Sequence, residues 1–113
     1  MNWTIVGAAL GFLAVAAEAF GAHGLRSLLT PERLETFEVA VRYQMYHALA
    51  ILLASVLGAP QAAWCFLAGV VIFSGSLYLL VLTETRWLGA ITPIGGLFFL
   101  AGWVLLALYG RRI

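Results

Sequence analysis

The sequence predicts an all-α integral membrane protein, a four-helix transmembrane bundle with a short amphipathic segment between spans one and two. Three observations predict it. Of 113 residues, 64% are apolar and 10% charged, against roughly 45–50% and about 25% in soluble domains. The mean hydropathy is +1.02, more apolar surface than so short a chain can hide from water. The apolar residues also fall into runs that approach the ~20 residues a spanning helix needs. Short polar breaks separate them, so residues 1–113 read as one antiparallel transmembrane domain.

The first span is expected from Trp3 to about Ala22, with one internal charge, Glu18. Ala17-Glu18-Ala19 looks like a signal-peptide cleavage site, but no positive residue precedes the apolar run, so the segment is read as a retained helix. The second span is expected from about Val39 to Leu57, where Gly58-Ala59-Pro60 supplies a Gly-then-Pro stop. The third runs from about Ala62 to Leu82 and meets the polar turn Thr83-Glu84-Thr85-Arg86; the fourth runs from about Leu88 to Tyr109. Before the second span, Thr30 can cap a helix that has Pro31 at its first position. Glu32 and Glu35 suit its first turn. Leu34, Phe37 and Val41 recur at helical spacing, which suggests an amphipathic approach in or above the interface. Glu38 and Arg42 are ordered for an i,i+4 pair.

Four spans put both termini at one end of the bundle, the A end, together with the Gly58 turn. The B end receives Arg26, Arg33 and Arg86, with Arg42 near it, whereas the A end has Arg111 and Arg112. The positive-inside rule then favours the B end in the cytoplasm and both termini outside, in a cell (inner) membrane. Trp3, Trp64 and Tyr109 fit an aromatic belt at the A end, and Trp87 fits one at the B end.

That topology gathers the polar residues in the B half: Glu18 and His23 from span one, Arg42, Tyr43, Gln44 and His47 from span two, Ser74 and Ser76 from span three, Thr92 and Pro93 from span four. These ten are the candidate binding residues. At about 100° per residue, Gly7, Gly11, Ala14, Glu18 and Gly21 share a face. Glu18 is therefore expected against protein, with Arg42 or His47 as its partner, since a carboxylate at membrane depth must pair or be wetted. The structural alternative is an ion pair that merely pins spans one and two. His47 can bond within its turn to Tyr43, Ser74 and Ser76 can bond back to their own helix, and Thr92-Pro93 is either a kink or a helix start. Gly7 with Gly11, and Gly95 with Gly96, allow close helix approach and are expected to support a homo-oligomer.

Several classes are excluded. Six Arg against five Glu give a formal charge of +1, no footprint for nucleic acid. The lone Cys65 forms no internal disulfide and no metal-ligand spacing exists. No nucleophile–base set or cofactor motif occurs, so neither enzyme activity, metal nor cofactor is expected.

The segments Glu18–Leu25 (EAFGAHGL), Phe37–Ala50 with its core YQMYHALA, Leu67–Leu80 ending in FSGSLYLL, and Gly89–Trp103 with TPIGG and GW carry a resemblance. Together they resemble domain-of-unknown-function family 423, whose eukaryotic relatives are called transmembrane protein 256. The resemblance implies four spans and no assigned activity. Members commonly carry a small or apolar residue where Glu18 stands, so it shifts weight to His23, Tyr43, Gln44, His47, Ser74, Ser76 and the TPIGG turn. Two functions are carried forward. One is a homo-oligomer in membrane lipid that binds or transports a small solute, ion or lipid head group in its B half. The other is a non-catalytic structural or partner-binding scaffold. An intramembrane acid–base enzyme using His47 is a weaker third.

Overall fold

The computed structural model describes residues 1–111; Arg112, counted above at the A end, lies outside the described residues. Four helices are long and apolar enough to cross a membrane. Helix α1 spans Trp3–Leu25, α2 Pro31–Leu57 and α3 Pro60–Thr83. Helix α4, Thr92–Gly110, is preceded by a 3₁₀ turn at Arg86–Ala90. The fourth span thus starts with a tightened turn, and Pro93 falls in the first turn of α4, where its missing N–H costs nothing.

Local chemistry fixes the helix ends. Asn2 accepts from the Ile5 N–H at 3.1 Å and Thr30 from the Arg33 N–H at 3.2 Å, each satisfying an orphan donor of the first turn. Helix α2 ends where Gly58 enters the left-handed region at φ 73°. Its N–H and that of Ala59 return to the Ser55 and Ala54 carbonyls, a glycine stop. Helix α3 ends on Glu84, which also has a positive φ, 56°. Arg33 holds that end from α2: its guanidinium donates to the Val81 carbonyl and meets the Glu84 carboxylate at 3.4 Å.

The amphipathic segment runs directly into the second span, as its spacing suggested. Residues from Pro31 onward are the first turns of α2, one continuous helix of 27 residues, about 40 Å long. Phe37 and Val41 are buried against Ala14, Ala22 and Val81. The apolar stripe that suggested an interfacial helix faces neighbouring spans instead. Arg42 pairs with Glu35 at 3.2 Å, not with Glu38.

Helix α1 rests on α2, α2 on α3, and α3 on α4. The N-terminal residues lie beside the Gly58 turn, and the Tyr109 hydroxyl approaches the same glycine, so both described ends of the chain share the A end. One apolar cluster there joins Trp3, Ile51, Phe66 and Leu106. A second lies toward the B end around Phe37, Val41 and Val81. The buried polar residues Gln44, His47 and Ser74 are positioned between them.

The α3–α4 seam is an alternating lock. Helix α3 presents Phe66, Gly69 and Phe73; α4, running the other way, presents Gly102, Phe99 and Gly95. A methyl group on Gly102 would come within 2.6 Å of the Phe66 ring, one on Gly69 within 2.5 Å of Phe99 Cε1, and one on Gly95 within 2.7 Å of Phe73 Cβ. Gly69 and Gly102 are sockets for the facing aromatic rings, and Gly95 lets α4 approach the α3 backbone at Phe73.

Candidate functional site: a saturated polar network and an open groove

His47 is held on two edges and one face. Its Nδ1 lies 2.8 Å from the Tyr43 carbonyl oxygen, and its Nε2 lies 3.1 Å from Trp103 Nε1. An indole N–H only donates and a carbonyl only accepts. The two neighbours therefore dictate a neutral imidazole with its proton on Nδ1. The ring stacks on Phe99, centroids 3.6 Å apart and planes 7° from parallel.

Gln44 ties three helices. Its Nε2 donates to the Leu10 carbonyl of α1 at 2.8 Å, and its Oε1 accepts from the Tyr78 hydroxyl of α3 at 2.7 Å. Ser74 donates to the Ala40 carbonyl of α2 at 2.7 Å. Ser76 donates to the Phe73 carbonyl and lies 2.6 Å from the Thr92 hydroxyl of α4. The expected His47–Tyr43 contact and the bond of Ser76 back to its own helix are present, whereas Ser74 departs from expectation. Tyr43 serves His47 through its backbone, while its ring covers Phe73 at 4.7 Å. Ser74 bonds across the bundle and not back to its own helix. A π turn at Val70–Ser74 widens the helix just before it, which breaks the simple 3.6-residue phase.

Other candidates stand outside this network. His23 and Pro93 are exposed. Glu18 is exposed too, and it forms no ion pair with Arg42 or His47. It sits in a second π turn, Ala17–Gly21, where i→i+5 bonding shifts the face that ideal periodicity assigned to it. Gly7 and Gly95 are spent inside the chain, against Leu52 and Phe73, whereas Gly11 has only distant neighbours and Gly96 none within 4 Å.

Sequence reasoning missed Phe99 and Trp103, which frame His47, and the Arg33–Glu84 contact. The signal for the first two was present: Phe66, Gly69 and Phe73 at i, i+3, i+7 and Gly95, Phe99 and Gly102 at i, i+4, i+7 are complementary stripes of large and small residues.

The surface clefts lie elsewhere. A groove of about 480 Å³ between α1 and α2 is bordered by Glu18, Glu38 and Arg42, with Ala14, Val15 and Met45 along it. A second of about 490 Å³ continues from Val15 and Met45 toward Gly7 and Leu52. Among the described residues, no three His, Cys, Asp or Glu gather in a way that could hold a metal ion.

This architecture is that of a small four-span integral membrane protein whose polar interior is spent on holding the helices together. The chain matches the family described as "Protein of unknown function (DUF423)" over residues 17–96. It is 48% identical over 108 residues to a UPF0382 membrane protein of Staphylococcus haemolyticus, covering 90% of this chain and 88% of the relative. It is 41% identical over 110 residues to the UPF0382 membrane protein YwdK of Bacillus subtilis, covering 90% and 89%. The protein belongs to this family. No solved structure matches the chain.

Proposed function

We propose that the protein is a non-catalytic, multi-pass scaffold of the cell membrane, which acts through its outer surface on lipid and on neighbouring proteins, copies of itself included. The observation that carries this reading is that His47, Gln44, Ser74, Ser76 and Thr92 are all paired within the chain, with Trp103, Tyr78, each other or backbone carbonyls. A transport site needs polar groups that exchange partners with solute or water, and here both edges of His47 are occupied. Self-association on this reading uses faces such as that of Gly96, because Gly7 and Gly95 already receive partners within the chain.

Reconstitution into liposomes, with entrapped dyes for protons and monovalent cations, tests it. The expected flux equals that of empty vesicles. Photo-crosslinking residues placed at exposed Phe20, Trp87 or Leu97 in native membranes are expected to give discrete protein adducts. Flux that is abolished by His47→Leu in a variant that still folds would overturn the reading.

A further inference from the structure

We infer that the seam between α1 and α2 is a binding groove for one phospholipid whose head group carries a primary amine, such as phosphatidylethanolamine. This is independent of the scaffold role. The two clefts described above share Val15 and Met45 and form one furrow. From Gly7 to Glu18 it runs about 17 Å along the helix axis, close to the depth of one leaflet of a ~30 Å hydrocarbon core. Its floor is shallow in side chains: a methyl on Gly11 would find its nearest neighbours, Met45 Sδ and Ala48 Cβ, only at 3.9 and 4.0 Å. An acyl chain fits such a floor.

Charge complementarity selects the head group. Glu18 and Glu38 border the B end of the furrow, and among the described residues neither has an ion-pair partner. Arg42 is their neighbour, but it already meets Glu35, so three carboxylates face one guanidinium. Glu18 stands about 23 Å from Trp3 along α1 and Glu38 about 28 Å from Leu57 along α2. On a ~30 Å core, Glu38 therefore falls near the B edge, where head groups meet chains, and Glu18 about 7 Å below it, within the B leaflet. A carboxylate exposed at that depth is costly unless it is paired. A primary ammonium has three N–H donors and can bridge the two. The remaining donors of Arg42 are placed for the lipid phosphate. Lipids with a net negative head group meet repulsion from the same carboxylates. The π turn at Ala17–Gly21, in which Glu18 sits, is the kind of local irregularity that accompanies binding sites.

The test uses the full chain, carrying Cys65→Ala, in nanodiscs of equal parts phosphatidylethanolamine and phosphatidylglycerol, released for native mass spectrometry. One retained phosphatidylethanolamine per chain is expected. Replacing both carboxylates (Glu18→Gln with Glu38→Gln) should lower its retention roughly tenfold. Val15→Trp should abolish retention by filling the middle of the furrow while leaving the charges in place. Both changes are at positions away from the buried core, so helicity by circular dichroism is expected to be unchanged. Equal retention of the two lipids, or undiminished retention in the double variant, would overturn the inference. So would a lipid-free dimer in which Val15→Cys cross-links copy to copy, because a second copy would then occupy the furrow.

Discussion

Gly69→Ala adds a single methyl group at the tightest point of the α3–α4 seam. The new carbon would lie within 2.5 Å of Phe99 Cε1 and 3.1 Å of Cγ, well inside contact distance. The ring has little room to retreat. Phe99 is 5% exposed, and one face of its ring is stacked on His47 at 3.6 Å, whose edges are fixed by Trp103 and the Tyr43 carbonyl. Relief therefore requires α3 and α4 to separate or the His47–Trp103 bond to break. Overpacking of this kind costs about 1–3 kcal/mol. The Gly-to-Ala change itself returns about 0.8–1 kcal/mol of helix propensity; with the ring clamped, the upper part of the overpacking range, about 2–3 kcal/mol, applies, so a net loss of about 1–2 kcal/mol is expected. Titration with a denaturing detergent in mixed micelles, followed by circular dichroism and tryptophan fluorescence, measures it. Gly96→Ala is the control: with nothing within 4 Å, it should leave stability unchanged or raise it by up to about 1 kcal/mol. Adding Phe99→Leu to Gly69→Ala should cost less than the sum of the two single changes. Unchanged stability of Gly69→Ala, or an equal loss in Gly96→Ala, would refute the interlocked seam.

Nitrogen-15 chemical shifts of His47 should show the proton on Nδ1; Trp103→Phe removes the donor to Nε2 and should cost about 1 kcal/mol. A proton found on Nε2 in the parent would contradict the assigned contacts. Tyr78→Phe deletes the 2.7 Å bond to Gln44 and should cost about 0.6–1.7 kcal/mol, with a double-mutant cycle against Gln44→Leu showing positive coupling; strict additivity would argue against the bond. Arg33→Ala uncaps α3 and should lower stability by about 1 kcal/mol. Glu84→Gly relieves a left-handed backbone worth about 1 kcal/mol while losing an exposed ion pair of similar size, so its midpoint should scarcely move.

The spans were legible because membrane burial is a composition signal summed over ~20 residues, which one misplaced side chain does not upset. The helix ends at Thr30, Pro31 and Gly58 were legible for a different reason, since caps are local chemistry. Phase within a span proved fragile. A single π turn at Ala17–Gly21 was enough to move Glu18 from the expected protein face to an exposed edge, and no residue type marks such a turn. Charge pairing was misread for a related reason: Arg42 has Glu35 and Glu38 both within reach along the helix, and spacing rules alone do not choose between them. His47 was correctly singled out as an interior residue. Its environment stayed hidden, because Trp103 and Phe99 lie more than fifty positions away and look like ordinary lipid-facing aromatics in isolation.

The location of the polar residues carries a physical reason that reaches beyond individual contacts. Helices in lipid gain nothing by burying leucine against leucine, since acyl chains are equally apolar. Association must come from fit and from bonds that lipid cannot offer. The chain supplies fit through the alternating phenylalanine–glycine seam, which joins α3 to α4. It supplies bonds through Gln44, Ser74 and the Ser76–Thr92 pair, which join α1 to α2, α2 to α3 and α3 to α4 in turn. His47 belongs to both systems: its edge bonds Trp103 and its face stacks on Phe99. A polar residue that serves as the fulcrum of two packing devices is poorly suited to exchange protons or bind solute, because each such event would loosen the seam. The rigid interior leaves the α1–α2 edge, where Glu18 and Glu38 stand without ion-pair partners among the described residues, as the place where this fold still has chemistry to offer.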